Sequence, residues 1–349
     1  YIEFLKEVRA RGKDASSEMI IPLPSETEKS YFDGVKFLMD NEVQTRTYTL
    51  MMLCGAELGR DKAVKEFGMK SKWRILPKQF GNYKGRKIFE IEQICVGTNS
   101  MTYEEYLRCR NYSFIVKLMG HSVLKPIKKL TDKLGIKWFD FSRAVSELIQ
   151  NNKYKGKFKD LFKEFCKESH EELFDTKEEA IQFYSKKENY KALMNGDIGE
   201  NLMTKYTGRG LLILDDIIST LFYVIRDKFK QNLNKELIIV LDSSEKWLKN
   251  LYLINVIFSD TKIQKNEMKK LNIDFDFPGW LLDDQQPFKK FTMKSTYKLN
   301  LDLKKIDYIK NEINSVTLVK RDKQRAFARY IERRSSESSF FKKEYQKVS

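Results

Sequence analysis

The chain has 349 residues, 41% of them hydrophobic and 33% charged, and a formal charge of +16. That length supports two or three domains with cores of their own. No run of about 18 uncharged apolar residues occurs, so no membrane-spanning helix is expected and a cytoplasmic setting is. The positive field would draw nucleic acid or another polyanion, but lysine lies beside Glu and Asp along every segment, as on solvated helix faces, so nucleic acid is not the favoured partner. Cys54, Cys95, Cys109 and Cys166 lie far apart without metal-type spacing, which fits a reduced compartment and no metal site in this chain.

In chain order, Ile2, Phe4, Leu5 and Val8 form one apolar helical face. Met19 to Leu23 reads as a short buried strand interrupted at Pro22. Ser25 with Glu28 is the expected capping box of a helix whose core face is Phe32, Val35, Phe37, Leu38 and Met39. Thr45 to Leu53 is a second strand that stops at Cys54-Gly55, with Thr45, Thr47 and Thr49 on one face and Arg46, Tyr48 and Leu50 on the other. An inward Arg46 needs an anionic partner, while one near the strand start can equally reach solvent.

Lys72 to Lys87 interleaves Trp73, Phe80 and Tyr83 with Lys72, Arg74, Lys78, Lys84, Arg86 and Lys87. Such a connector, turning at Pro77, Gly81 and Gly85, is expected to be a lid or substrate-side element, able to stack on and neutralise a phosphate-bearing substrate. Ile88 to Val96 alternates as a further strand. Helix and strand in alternation are the rhythm of a parallel sheet, whose ligands gather at the carboxyl ends of the strands, here Pro22 to Thr27 and Leu53 to Glu57.

Beyond Thr98 the pattern turns helical. Thr102 with Glu105 and Thr176 with Glu179 are capping boxes. Helices are expected over Val123 to Leu134, Phe139 to Gln150, Phe158 to Glu172, Thr176 to Met194 and Leu211 to Leu233. Gly208-Arg-Gly210 reads as a turn. Glu236 to Asp242 is a strand or a helix start, with Ser243 or Ser244 capping a helix to Ile257. Phe275 to Trp280 is a turn region, Phe291 to Leu303 a hairpin, and Lys320 to Ser349 a basic amphipathic helix with a frayed tail. His121 reads as a surface or core histidine. His170, among Glu164, Glu168, Glu171 and Glu172, reads as part of a solvated face.

Ser17 to Glu28 together with Val43 to Thr98 resembles the closing part of a radical S-adenosylmethionine (SAM) barrel, and more narrowly the region after the barrel core in cobalamin-binding radical SAM proteins. Pro22-Leu-Pro-Ser-Glu-Thr27 stands where the family has Gly-Leu-Pro-Gly-Glu-Thr, and Cys54-Gly-Ala-Glu57 resembles its Gly-Thr-Glu turn. The resemblance implies an α/β fold, a partial (incomplete) radical SAM TIM-type barrel followed by a mainly α-helical C-terminal domain. The corresponding domains are 1–99 for the barrel part, 100–235 for a helical domain and 236–349 for a mixed, mostly helical region.

It further implies contacts to the SAM adenosine from Leu23, Pro24 and Glu26, with Arg46, Tyr48, Trp73 and Arg74 on the substrate side. The implied cofactors are SAM, a 4Fe-4S cluster and cobalamin. The family's Cys-x-x-x-Cys-x-x-Cys motif is absent, so cluster and cobalamin ligands are expected in an N-terminal portion outside this chain, which alone would be catalytically incomplete. The resulting expectation is radical-based modification of an unknown substrate, methylation among the options. The alternative is a non-catalytic basic scaffold for RNA or another anionic ligand.

Overall fold

The structure, a computed structural model, describes residues 2–12, 16–254, 269–316 and 342–348. It is mixed α/β with small sheets, none closed into a barrel among the described residues. Two compact units divide it, each built from two stretches of chain: 1–120 with 161–206, and 121–160 with 207–349. Boundaries at 99/100 and 235/236 do not coincide with this division, because residues 100–120 and 161–206 pack with the first hundred.

The first unit opens with α1 (Ile2–Ala10), β1 (Ser16–Ile21), α2 (Glu28–Asp40) and β2 (Gln44–Thr49). β1 and β2 are parallel, with Ser16 opposite Gln44 and Ile21 opposite Thr49, and α2 is the crossover between them. Parallel strands require such a crossover. Period-two alternation then sends Met19, Ile21, Thr45, Thr47 and Thr49 to one face. The Tyr31 hydroxyl of α2 lies 3.1 Å from Thr47 Oγ1 there, and Val35 and Leu38 of the same helix are buried. Leu5 of α1 packs with Leu38 and Val43.

The helix α2 starts two residues later than the Ser25–Glu28 box would place it. Ser25 has φ +65°, which no N-cap adopts, and Thr27 caps instead, its Oγ1 accepting from the Ser30 N–H at 3.0 Å while Ser30 Oγ accepts from the Thr27 N–H. Both strands also end earlier than expected: β1 starts at Ser16 and stops before Pro22, and β2 stops before Leu50.

After α3 (Asp61–Glu66), β3 (Lys70–Tyr83) and β4 (Arg86–Gly97) form a long antiparallel hairpin. The expected connector over Lys72–Lys87 is therefore strand for most of its length. Pro77 and Lys78 sit in an irregularity between Ile75 and Phe80 rather than in a turn, and the chain reverses only at Lys84-Gly85. The hairpin meets the end of β2 through Cys95, whose N–H donates to the Leu50 carbonyl at 2.8 Å. It also packs on α8 (Lys177–Ser185) and α9 (Lys187–Asn195): Ile75 and Phe89 share a buried cluster with Ala180, Tyr184 and Leu193. The two helices replace the single helix expected over Thr176–Met194, the break falling at Lys186, whose backbone is extended. α4 (Tyr103–Met119) is capped by Thr102 and Glu105 as the sequence indicates, and packs Phe114 on Phe165 of α7 (Lys157–Glu171) at 4.4 Å between ring centroids.

The second unit contains α5 (Lys125–Lys133), α6 (Trp138–Gln150), α11 (Leu214–Lys228) and α12 (Lys235–Leu251), with α10 (Leu202–Leu212) leading in. Gly208 and Gly210 lie inside α10, not in a turn. Asn234, rather than Ser243 or Ser244, caps α12, and residues 255–257 of that expected helix lie outside the described residues. β5 (Lys269–Ile273), β6 (Ser295–Asn300) and β7 (Glu344–Lys347) make a three-stranded antiparallel sheet, order β5-β6-β7. Phe291–Leu303 is thus not a hairpin: it contributes the central strand and the lead into α14 (Leu303–Val316). Phe275–Trp280 enters α13 (Phe277–Leu282), which begins with Pro278 in its first turn. Residues 317–341 of the expected basic tail helix lie outside the described residues, while 344–347 are strand.

Candidate functional site

The polar features of the first unit collect around the carboxyl ends of β1 and β2. Behind β1, a tight turn runs from Leu23 to Glu26, closed by the Glu26 N–H donating to the Leu23 carbonyl at 3.0 Å. Leu23 packs against the buried cluster of Leu50, Met69 and Cys95, Pro24 is half-buried, and Glu26 Oε1 accepts from Ser30 Oγ. The second oxygen of Glu26 makes no hydrogen bond among the described residues. A carboxylate fixed by its own helix at the end of a parallel strand can accept a hydrogen bond from a hydroxyl, and this is the turn for which the resemblance implies the adenosine contacts of Leu23, Pro24 and Glu26.

The second feature is the face of β1–β2 turned away from α2. In register, Glu18 lies opposite Arg46 and Ile20 opposite Tyr48. All four are exposed, Ile20 at 43% and Tyr48 at 48%, and Arg46 makes no ion pair among the described residues. The sequence-derived pairing of Arg46 with Tyr48 on one face holds. Leu50 leaves that face, because β2 ends at Thr49 and Leu50 is buried beneath the hairpin.

The third feature, behind the covered face, is a nearly dry ionic network. Arg74 Nε donates to Glu92 Oε1 across the hairpin at 2.6 Å, and Arg74 Nη1 reaches Glu172 Oε1 at 3.4 Å. Arg110 of α4 donates to the same Glu172 oxygen at 2.8 Å and lies 3.5 Å from Thr49 Oγ1, which pairs with the Tyr106 hydroxyl at 2.9 Å. The side chains are 9–20% exposed. Burial opposes the charge on Arg74, but Glu172 and Glu92 outweigh it and hold the guanidinium above its ordinary value. The network ties together β2, the hairpin, α4 and the segment after α7, and it uses Arg74 as a strut rather than as a substrate contact. Trp73 is likewise engaged: it is half-buried, and its N–H and carbonyl pair with Phe174 at 2.9 and 2.8 Å. The pairing of Arg110 with Glu172 escaped the sequence reading, since Arg110 lies in a polar stretch with Arg108 and Asn111 and nothing local marks it as buried.

The histidines are not at this site. His121 Nδ1 accepts from the Val123 N–H at 3.3 Å, and His170 Nδ1 pairs with the Tyr103 hydroxyl at 3.0 Å. Tyr103 is pushed up to about 12 by burial. Among the cysteines, Cys54 is exposed, and burial pushes the Cys109 and Cys166 thiols up to about 12 and Cys95 in the same direction. A cluster ligand must be a thiolate. Among the described residues no three His, Cys, Asp or Glu side chains come together as a metal would require. The cysteines present do not fit a 4Fe-4S cluster. No helix among the described residues is long and apolar enough to cross a membrane.

Comparison with protein-family models finds none that matches this chain, and a search of curated proteins finds none that matches it.

Proposed function

We propose that β1, α2 and β2 are one βα unit of the SAM-binding barrel that the sequence resembles, and that the chain serves a radical-based modification of a substrate still to be identified, with methylation among the candidate outcomes. The observation that supports this reading is the uncovered face of a parallel sheet. Parallel strands are normally covered on both faces, yet here α2 and α4 cover one face and the other presents Glu18, Ile20, Arg46 and Tyr48 to solvent.

In this reading the open face is the inner wall of the barrel. Arg46 and Tyr48 meet the substrate, the Leu23–Glu26 turn receives the adenosine, and the buried network fixes the end of β2 relative to the hairpin. The cluster and cobalamin ligands belong to residues other than the cysteines described. When bound, SAM would supply the radical chemistry; this chain's own residues orient it and the substrate.

Isothermal titration of the full chain with SAM tests the reading. Saturable binding is expected, weakened about tenfold or more by Glu26→Ala, a loss of the size a charge-assisted hydrogen bond carries. Binding should be unchanged between low and high salt. Absence of SAM binding, together with salt-sensitive capture of RNA, would overturn it in favour of a non-catalytic scaffold.

A further inference from the structure

The hairpin tip lies apart from the open sheet face in sequence. Tyr83 and Arg86 are its last paired residues, and the two-residue turn between them puts Lys84 at φ +52° and Gly85 at φ +87°. Both central residues with positive φ define the type I′ turn, which Asn-Gly normally fills. A lysine there is held in a sparsely populated backbone region at an exposed position. Lys87 of β4 ties the tip to α8 and α9: its Nζ donates to the Ser185 carbonyl at 2.5 Å and lies 4.8 Å from the centre of the Tyr190 ring. Lys186, Lys187 and Lys191, all exposed, flank these contacts.

Residues 78–90 and 182–191 together hold seven basic and two acidic side chains. Several other cations of this unit are paired, as in Lys72–Asp175, Arg108–Glu28, Arg110–Glu172 and Lys205–Glu168, whereas Arg46 stands apart from the tip without an ion pair among the described residues. At the tip, Lys84, Arg86, Lys186, Lys187 and Lys191 have no ion pair among the described residues. Tyr83 stands among them 66% exposed, its ring close above the Gly81 backbone, where a Cβ would come within 2.8 Å of it. An exposed aromatic ring next to Lys84 and Arg86, with the lysines of the α8–α9 junction on the neighbouring element, matches the stacking platform and cationic surface that hold single strands.

We propose that the β3–β4 tip, with the α8–α9 junction, binds a single-stranded nucleic acid, the cations contacting phosphates and Tyr83 stacking on a base. A lipid surface is the less fitting polyanion, since, beside the tyrosine, residues 78–90 expose only one large apolar side chain, Ile88, 43% exposed.

The test is fluorescence anisotropy of the full chain with a labelled uridine strand of about 15 nucleotides, in a salt series from about 50 to 250 mM. The double variant Lys84→Gln/Arg86→Gln should flatten the plot of log affinity against log salt by about 1.4, because each phosphate contact to a single strand contributes about 0.7. Lys186→Gln/Lys187→Gln should do the same from the other element, so a misfolded hairpin cannot imitate the result. Tyr83→Ala should weaken binding about tenfold with the slope unchanged, the loss of one stacked base. Lys153→Gln/Lys289→Gln, which removes two exposed charges of the other unit, should change neither. Equal losses in all the double variants would reduce the effect to net charge and overturn the proposal. So would uptake of the chain by phosphatidylserine vesicles while the strand stays unbound.

Discussion

Glu172→Ala probes how the first unit is held together. Glu172 Oε1 accepts from Arg110 at 2.8 Å and from Arg74 at 3.4 Å, and its side chain is 11% exposed. Removing it leaves Arg74 with Glu92 but strips Arg110 of its only carboxylate among the described residues. What remains to Arg110 is Thr49 at 3.5 Å, and its Nε is already buried without a hydrogen-bond partner. Breaking a buried pair from one side costs about 3–5 kcal/mol. Because Glu92 still neutralises Arg74, the lower end applies, about 3 kcal/mol. In a folded unit of about 150–250 residues each kcal/mol moves Tm by about 2–4 °C, so the variant should melt about 6–12 °C below the wild type by circular dichroism. Arg108→Ala is the control. It removes a bidentate pair with Glu28 at 2.7 and 2.8 Å, but Arg108 is 54% exposed, so the loss should stay under about 1 kcal/mol. Equal and small shifts for both variants would show that the network carries no buried charge and would refute the strut role given to Arg74 and Arg110.

Three further outcomes follow from single contacts. In the second unit Asp276 accepts from Tyr297 OH at 2.5 Å, Lys347 Nζ at 2.6 Å and the Gly279 N–H at 3.0 Å. Burial alone would raise its carboxyl, but these bonds outweigh it and hold it below the ordinary range. A depressed folded value stabilises above the unfolded value of about 3.9 and loses that contribution as pH falls through the folded one. Urea midpoints should therefore drop on acidification below about pH 4, and less steeply in Asp276→Asn; identical slopes would contradict the assignment. Thr102→Ala should cost about 1 kcal/mol in thermal melts by removing the cap of α4, where Thr102 Oγ1 accepts from the Glu105 N–H at 3.3 Å. Gly68→Ala should cost more than about 1 kcal/mol, since Gly68 has φ +57° and a Cβ there would lie 1.9 Å from Asn99 Oδ1; a melt equal to wild type would show that Asn99 moves aside freely.

What the sequence disclosed was what local chemistry decides. The Thr102–Glu105 and Thr176–Glu179 boxes, the helices α4 to α7 and the two-faced alternation of β2 depend on residues within one turn or one pleat. The Ser25–Glu28 box failed because two capping residues, Ser25 and Thr27, compete within three positions, and the path of the chain out of β1 decides between them. The basic connector failed for a longer-range reason. Pro77, Gly81 and Gly85 are turn residues taken singly, but Phe80 and Phe89 pair across the hairpin and pack on Tyr184 and Tyr190 more than ninety residues away, which draws the whole segment into strand. Likewise Gly208 and Gly210 lie within α10 despite their low helix propensity. At the candidate site, the placement of Arg46 and Tyr48 on one face was legible from strand parity, while Glu26 entered through the resemblance alone. Arg110 and Glu172 were not, because their pairing joins α4 to a segment some sixty residues on.

Hydrogen exchange of the full chain with and without SAM tests the central claim most directly. The account predicts added protection in residues 16–26 and 44–49, the parallel strands and the turn that ends at Glu26, with the hairpin tip unchanged. Protection absent from both strands under saturating SAM, or confined to residues 78–90, would contradict it.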